Sequence, residues 1–452
     1  MDFNLSKITN IHFIGIDGIG MSALVQYFLA EGKKVSGSDV KRTQVTDLLE
    51  KKGVKVFLNQ NPENIGKDVN LAVYSVAVSE DNPEIKEVRK RKILTLSYPE
   101  VLGLISKDKY TIAVSGTHGK TTTTAMIAKV MIDAGFSPTV IAGSIMNDYK
   151  SNFVEGKSPD VAKRHRGSSI SKANRDNYFI VEACEYRRSF LHLEPNVLVI
   201  TNIEEEHLDY YKNLEDIQNG FLELAKKLGK DDFLVCNIED PNLEAIIGSK
   251  EIECNIIDYH SIKSSKPRLK VPGKHNEENA KAALAVSAIF EINSDKAVSS
   301  LENFKGTWRR LEEKGKTQKG ALIFDDYAHH PTEIKASLSS LKELFPDKKI
   351  IAVFQPHLFS RTKILFNDFG ESFSLAQVVI LLPIYSGREN PDPKINSQKL
   401  YQKMREAGKS VSFFESFEKA AGYLKDNFDS DCIIVTMGAG DVYKVSDLVV
   451  NN

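Results

Sequence analysis

The sequence predicts an α/β protein of three tandem units, each a parallel sheet covered by helices. Three observations carry that expectation. Short β-branched runs alternate with helical patterns along almost the whole chain, as strand–helix–strand repeats require. Several runs, such as residues 111–115 (TIAVS), are almost continuously apolar and suit strands buried on both faces. The 452 residues correspond to about three domains at roughly 150 residues each.

The first unit opens with a strand over residues 11–16 (IHFIGI) and a helix over 21–31. A second strand over 35–38 ends at Asp39, and further strands follow at 71–75 and near 93–96. The polar stretch 106–109 marks a boundary. The second unit begins with the strand 111–115, turns through glycines and continues as a helix from 121 to 134. Its later strands are expected at 179–182, 197–202 and 233–237, and the Ala-rich segment 276–290 reads as a helix. Residues 148–177, with the basic run Lys163-Arg164-His165-Arg166, read as a surface loop because no aromatic residues interleave the charges. The third unit opens after Asn303, with strands at 321–324, 350–354, 378–382 and 432–437. Its helix over 331–344 starts at Pro331, which suits a first turn.

Sixty basic residues balance 61 acidic ones, for a net charge of −1. That removes the electrostatic reason to expect nucleic acid or an anionic membrane as the main partner. Cys184, Cys236, Cys254 and Cys432 form no C-x-x-C pair and are sparse for a disulfide framework. The opening MDFNLSKITN lacks a signal-peptide core, and no apolar run is long enough to span a bilayer. The expectation is a cytoplasmic protein, monomeric or a weak homodimer.

The strongest chemical signal is Gly116-Thr117-His118-Gly119-Lys120-Thr121-Thr122, between a strand and a helix. Polyphosphate needs closely approaching N–H groups and the positive end of a helix, which glycines permit. Lys120 can neutralise phosphate oxygens, and the Thr121 hydroxyl can hold Mg²⁺. Only two residues separate Gly116 from Gly119, against four in the common phosphate loop, so a tight turn without ligand is the alternative. Gly15, Gly18 and Gly20 also close a strand and open a helix, with Asp39 ending the next strand. Their order departs from the dinucleotide fingerprint, which leaves a nicotinamide or flavin, another ligand, or plain packing open.

Glu182 ends an apolar run, and His207 follows another through the acidic turn Glu204–Glu206. Both belong beyond carboxyl ends of strands, where such sheets bind ligands. Imidazole is a poor partner for Mg²⁺, so alone His207 reads as a surface or capped residue and the acidic run as a solvated turn. Asn276 and Asn279 share a helix face at i and i+3, although Asn276 alone reads as a cap. Asp326 and His329-His330 follow a strand, and His357 and Arg361 sit past the next one. Neighbouring histidines rarely share one ion.

Taken together, HFIGIDGIGMSAL, SGTHGKTTTTAM, VEACEYRRSFLHLEP, TNIEEEHLD, GKHNEENAKAA, FKGTWRRLEEKG, DDYAHHPTEI, FQPHLFSRT and MGAGDV resemble blocks of the Mur ligases of bacterial peptidoglycan synthesis. They run in family order over residues 12–442 and are most similar to the alanine-adding branch. The resemblance implies a Rossmann-like UDP-substrate domain over 1–106, a central P-loop ATPase-type domain over 107–305, and a Rossmann-like amino-acid domain over 306–452. It implies that ATP activates the carboxylate of UDP-N-acetylmuramate as an acyl phosphate, which L-alanine then attacks.

On the same ground, Lys120 would bridge phosphates, Thr121 and Glu182 would hold one Mg²⁺, and His207 would serve a second. Asn276 and Asn279 would contact the nucleotide, Arg310 its phosphates and Asp326 its ribose. Gly18, Gly20, Asp39 and Ser75 would bind the UDP portion, and His357 and Arg361 would shape the alanine pocket. The chain departs from the family at Asp17, where glycine is usual, and at Leu358, where some relatives carry arginine. It also lacks, at Asn219–Leu222, the modified lysine of other branches. A murein-tripeptide recycling ligase is the near rival. A folate ligase, an NAD(P) oxidoreductase and a nucleotide-switch protein are the more distant ones.

Overall fold

Three sheets form in chain order in the computed structural model, which describes residues 5–157, 177–208, 210–387 and 389–450. The basic run 163–166 lies outside the described residues. The first sheet holds β1 (Asn10–Ile14), β2 (Lys34–Ser38), β3 (Lys55–Phe57), β4 (Leu71–Tyr74) and β5 (Leu94–Ser97). All its pairings are parallel, in the order β3-β2-β1-β4-β5. The order reverses beside β1, so the glycine turn after β1 lies at the switch point, where such sheets take their ligands.

The second sheet holds β6 (Tyr110–Ser115), β7 (Thr139–Met146), β8 (Ser151–Val154), β9 (Tyr178–Glu182), β10 (Val197–Ile200), β11 (Phe233–Cys236) and β12 (Asn255–Asp258). Its order is β12-β11-β10-β6-β9-β7-β8, with β8 antiparallel to β7. The third holds β13 (Glu312–Lys316), β14 (Leu322–Asp326), β15 (Lys349–Phe354), β16 (Val378–Leu381), β17 (Val411–Phe413) and β18 (Cys432–Met437). Its order is β13-β14-β18-β15-β16-β17, with β13 antiparallel to β14.

The expectation of a loop from residue 148 onward is corrected at β8. Its Asn152 is buried, and its amide donates to the Ile19 carbonyl at 2.6 Å while accepting from Gln26 at 2.9 Å. These bonds cross from the second sheet to the helix Ile19–Ala30 of the first. Tyr27 meets Phe153 edge-on beside them. One apolar cluster accordingly runs through both sheets, from Phe13, Leu24 and Phe28 to Ile141, Phe190 and Leu198.

The chain divides into two compact units, Met1–Arg268 with Asn279–Phe304, and Leu269–Glu278 with Lys305–Asn452. The first two sheets therefore share a unit. Residues 269–278, expected in the central domain, group with the C-terminal sheet. There Gly273, at φ +104°, lies so close to the Ser340 hydroxyl that a Cβ would collide with it. In the C-terminal unit both sheet faces are apolar, one around Phe354, Phe369 and Phe373, the other around Val353, Leu424 and Val445. Among the described residues, no helix is long and apolar enough to cross a membrane.

Candidate active site

The loop between β6 and the helix Lys120–Asp133 is strapped down by the residues that follow β10. Asn202 accepts from the His118 N–H at 3.0 Å, returns a bond to the His118 carbonyl at 3.1 Å, and takes the Thr117 N–H on its own carbonyl. The Thr201 hydroxyl donates to His118 O at 2.6 Å. Gly116 and Gly119 stand at φ +129° and +83°. A Cβ would strike Thr201 Oγ1 at the first and Asn279 Oδ1 at the second. Both glycines are thus required by conformation and by space. Asn279 also accepts from the Thr123 hydroxyl at 3.1 Å, so it packs directly against the loop. Thr117, Thr121 and Thr122 are buried.

Lys120 is the first residue of the helix. Its Nζ donates to Gly116 O at 2.6 Å, Thr117 O at 2.9 Å and Glu185 Oε1 at 3.1 Å. Burial opposes its charge, but the acidic neighbours, Glu185 foremost, outweigh that and hold it above the usual lysine range. Glu182 pairs in register with Val114 across β6 and β9, and its Oε2 accepts from Gly143 N at 2.7 Å. His207 is not a plain surface residue. It sits at φ +56°, with Nε2 3.6 Å from Glu185 Oε1 and its ring 4.6 Å from that of Tyr186. The acidic turn is not uniformly solvated either: Glu206 is buried, and Glu204 lies 3.4 Å from His118 Nε2.

At the first sheet, Gly15 turns at φ +81° against Ser75, and Gly18 caps the helix that Gly20 continues. A Cβ on Gly20 would lie 2.8 Å from the Tyr98 hydroxyl. Asp17 does not point its charge into this turn. Its Oδ1 accepts from Thr43 Oγ1 at 2.6 Å and from Thr46 Oγ1 at 2.8 Å, at the start of the helix Gln44–Lys51. Asp39 accepts the Asp17 N–H at 3.0 Å, which ties the end of β2 to the turn.

In the C-terminal unit, His329 and His330 serve the helix Pro331–Leu344. His330 Nδ1 accepts from Thr332 N at 3.3 Å, and Glu333 reaches back to the His329 and His330 N–H groups. Asp326 is buried, held by Ala328 N and Ser337 Oγ. Arg310 lies over the Tyr327 ring and 3.8 Å from Glu333. The buried arginine is its neighbour Arg309, which binds Asp325 at 2.7 Å and the Gly438 and Gly440 carbonyls. Arg361 donates to His357 Nδ1 at 2.9 Å, and Tyr385 stacks on that imidazole at 5.5 Å. Leu358 between them is at φ +69°. Asn276 does not cap its helix, which starts at Lys274; its amide donates to Pro272 O instead.

Sequence reasoning missed Thr201, Asn202, Gly143, Glu185, Arg309 and Tyr385. Only Thr201-Asn202 carried a signal, two polar residues directly after an apolar strand. The central arrangement is a backbone cradle at a helix start, a partly buried ammonium and nearby carboxylates. It can bind a polyphosphate and a hard cation.

Comparison with known proteins gives a consistent family. The description "Mur ligase family, catalytic domain" matches residues 10–110, the Mur ligase middle domain 114–287, and the Mur ligase glutamate ligase domain 309–440. The UDP-N-acetylmuramate–L-alanine ligase of Clostridium kluyveri is 40% identical over 100% of both chains. That of Clostridium botulinum is 39% identical over 100% of this chain and 99% of its own. The crystal structure of UDP-N-acetylmuramate-alanine ligase from Thermotoga maritima superposes with a TM-score of 0.80 at 27% identity, covering 98% of each chain. A murein peptide ligase from Psychrobacter arcticus shares the fold, with a TM-score of 0.74 at 22% identity and 98% coverage of each chain.

Proposed function

The chain belongs to the Mur ligase family, and we infer from that premise that it joins L-alanine to UDP-N-acetylmuramate, consuming ATP, in peptidoglycan synthesis. The observation that carries the choice of amino acid is the full-length identity of 40% to a ligase named for alanine. The recycling ligase is supported by the fold alone. The γ-phosphoryl of ATP passes to the sugar's carboxylate, giving an acyl phosphate and ADP. The amine of alanine attacks the acyl carbon, phosphate leaves, and an amide remains.

Two anions must meet in the first step, so placement of positive charge governs the rate. Lys120 is the cation we assign to the phosphates, cradled by Gly116, Thr117, His118 and Gly119. Thr121 and Glu182 supply the hard oxygen donors that suit Mg²⁺, and His207 a weaker third. Bound there, Mg²⁺ would neutralise phosphate oxygens. Asn279 also packs against the loop, and Thr122, Asn276, Asn279, Arg310 and Asp326 are assigned to the nucleotide. Gly18, Gly20, Asp39 and Ser75 are assigned to the UDP portion. His357 and Arg361 are assigned to the alanine carboxylate. The domain boundaries we propose fall after residues 106 and 305; the change of compact unit at Lys305 supports the second.

The test is phosphate release from ATP with UDP-N-acetylmuramate, scanning free amino acids beside a tripeptide acceptor. Fastest release with L-alanine supports the assignment. No release with all three substrates present overturns it.

A further inference from the structure

Lys120 and His207, which the proposed reaction gives separate tasks, meet on one carboxylate to which the assignments above give none. Glu185 is 3% exposed. Lys120 Nζ lies 3.1 Å from its Oε1 and 3.0 Å from its Oε2, and His207 Nε2 lies 3.6 Å from Oε1. The two partners arrive from different elements. Lys120 opens the helix after β6, and His207 stands beyond the end of β10.

Two features single out this carboxylate from an ordinary buried ion pair. Its Oε2 is buried and meets the Lys120 ammonium at 3.0 Å without a well-aligned hydrogen bond, and buried carboxylate oxygens are seldom so poorly served. Its backbone is also fixed with unusual care. The Glu185 carbonyl accepts from the Tyr211 hydroxyl at 2.5 Å and from Arg188 N at 2.9 Å. Arg187, Arg188 and His207 are all non-glycine residues in the left-handed region, at φ +52°, +55° and +56°. Such conformations persist where the surroundings over-determine them, and they gather at functional sites. Here the Arg188 N–H is bonded to the Glu185 carbonyl and His207 faces its carboxylate.

We propose that Glu185 is a positioning residue of the ligase reaction, its carboxylate holding the Lys120 ammonium and orienting the His207 ring together. The proposal rests on the tasks assigned above to Lys120 and His207. Its chemistry is general. A metal-binding imidazole is oriented by a carboxylate facing its second nitrogen, here an ionic approach of 3.6 Å and not a formed hydrogen bond, and loss of such a partner costs ten- to a hundredfold in metal affinity or activity. An ammonium in a buried cradle needs a counter-charge to stay there as a cation. One carboxylate doing both couples the placement of the phosphate-binding cation to that of the metal ligand.

The test uses the full chain and two variants. E185Q keeps the shape and removes the charge, and E185D keeps the charge on a shorter arm. In the three-substrate assay E185Q is expected to lose about thirtyfold in kcat, with KM for UDP-N-acetylmuramate within about threefold. Mn²⁺ titrated into protein loaded with a non-hydrolysable ATP analogue, followed by the magnetic resonance of free Mn²⁺, should bind E185Q about tenfold more weakly. E185D should recover part of both losses. Wild-type kcat and Mn²⁺ affinity in E185Q would overturn the proposal. So would equal losses in E185Q and E185D that track equal falls in thermal midpoint, since those would mark a purely structural acid. If the unaltered chain releases no phosphate, the ligase assignment fails, and the Mn²⁺ titration still decides Glu185, unchanged affinity in E185Q overturning it.

Discussion

The backbone N–H of Gly143 on β7 donates to Glu182 Oε2 at the end of β9, at 2.7 Å. The approach is so close that a Cβ on Gly143 would overlap the Glu182 carboxylate. Gly143 is not in the left-handed region, so Gly143→Ala strains space and not conformation. The flexible end of Glu182 must give way, and a proposed Mg²⁺ ligand moves with it. We expect the Mg²⁺ concentration for half-maximal phosphate release to rise by about tenfold, with a small change in thermal midpoint. An unchanged Mg²⁺ requirement would remove Glu182 from the metal site.

Lys120→Ala separates the two nucleotides. It removes the cation assigned to the ATP phosphates, while the groups assigned to UDP-N-acetylmuramate lie on the first sheet. ADP formation should fall below detection, and calorimetric affinity for UDP-N-acetylmuramate should stay within about threefold, because no contact to it is lost. The variant also leaves Glu185 buried without its counter-charge, so a lowered thermal midpoint is expected as well. Both readings are therefore taken well below that midpoint. Parallel loss of both activities would contradict the division of labour.

What could be read from the sequence was local, and what could not was long-range. The helix Pro331–Leu344 and the strand Cys432–Met437 match expectation to the residue, because a proline at the first turn and an unbroken apolar run are decided by neighbours in sequence. β12 and β13 escaped notice because edge strands can carry charge and solvent-facing residues, as in Glu312–Lys316. The phosphate-type loop was legible from its glycines. Glu185 was not, since its meaning comes from Lys120, 65 residues away. Arg309 reaches Gly440 across 131 residues, so the choice between Arg309 and Arg310 as the buried one could not be made from a motif that contains both. Adjacent His329 and His330 read from the sequence as a poor pair of ligands for one ion, and the structure places the His330 side chain and both N–H groups in the hydrogen bonds of a helix start.

Arg361 holds His357 Nδ1 at 2.9 Å, and the Tyr385 ring stacks on the same imidazole. If this is where the alanine carboxylate is bound, Arg361→Ala loses a charged hydrogen bond worth about 1.5–3 kcal/mol. KM for L-alanine should then rise by about ten- to a hundredfold, while KM for ATP stays nearly constant. Steady-state kinetics with alanine as the varied substrate decides this. An unchanged KM for alanine would place its pocket elsewhere.

Asp326 carries a cost that depends on pH. Its oxygens accept from Ala328 N at 2.7 Å and Ser337 Oγ at 3.0 Å. Burial pushes its carboxyl from 3.8 up to about 6, against the downward pull of Arg310. The folded chain thus keeps this proton to higher pH than the unfolded chain does. The stabilisation is fully present below pH 3.8 and is lost as pH rises through about 6, on the order of 3 kcal/mol in all. Asp326→Asn preserves the shape, keeps the bond accepted from Ala328 N on its oxygen, can donate its NH₂ to Ser337 Oγ, and never ionises. It should therefore melt above the unaltered chain at pH 8 and show no advantage near pH 4. The same variant should bind ATP more weakly if the carboxylate serves the nucleotide, which would explain why a charge that opposes folding at neutral pH stands here. A melting difference that does not change with pH would show that Asp326 ionises in the folded chain as freely as in the unfolded one, and this account of its cost would fall.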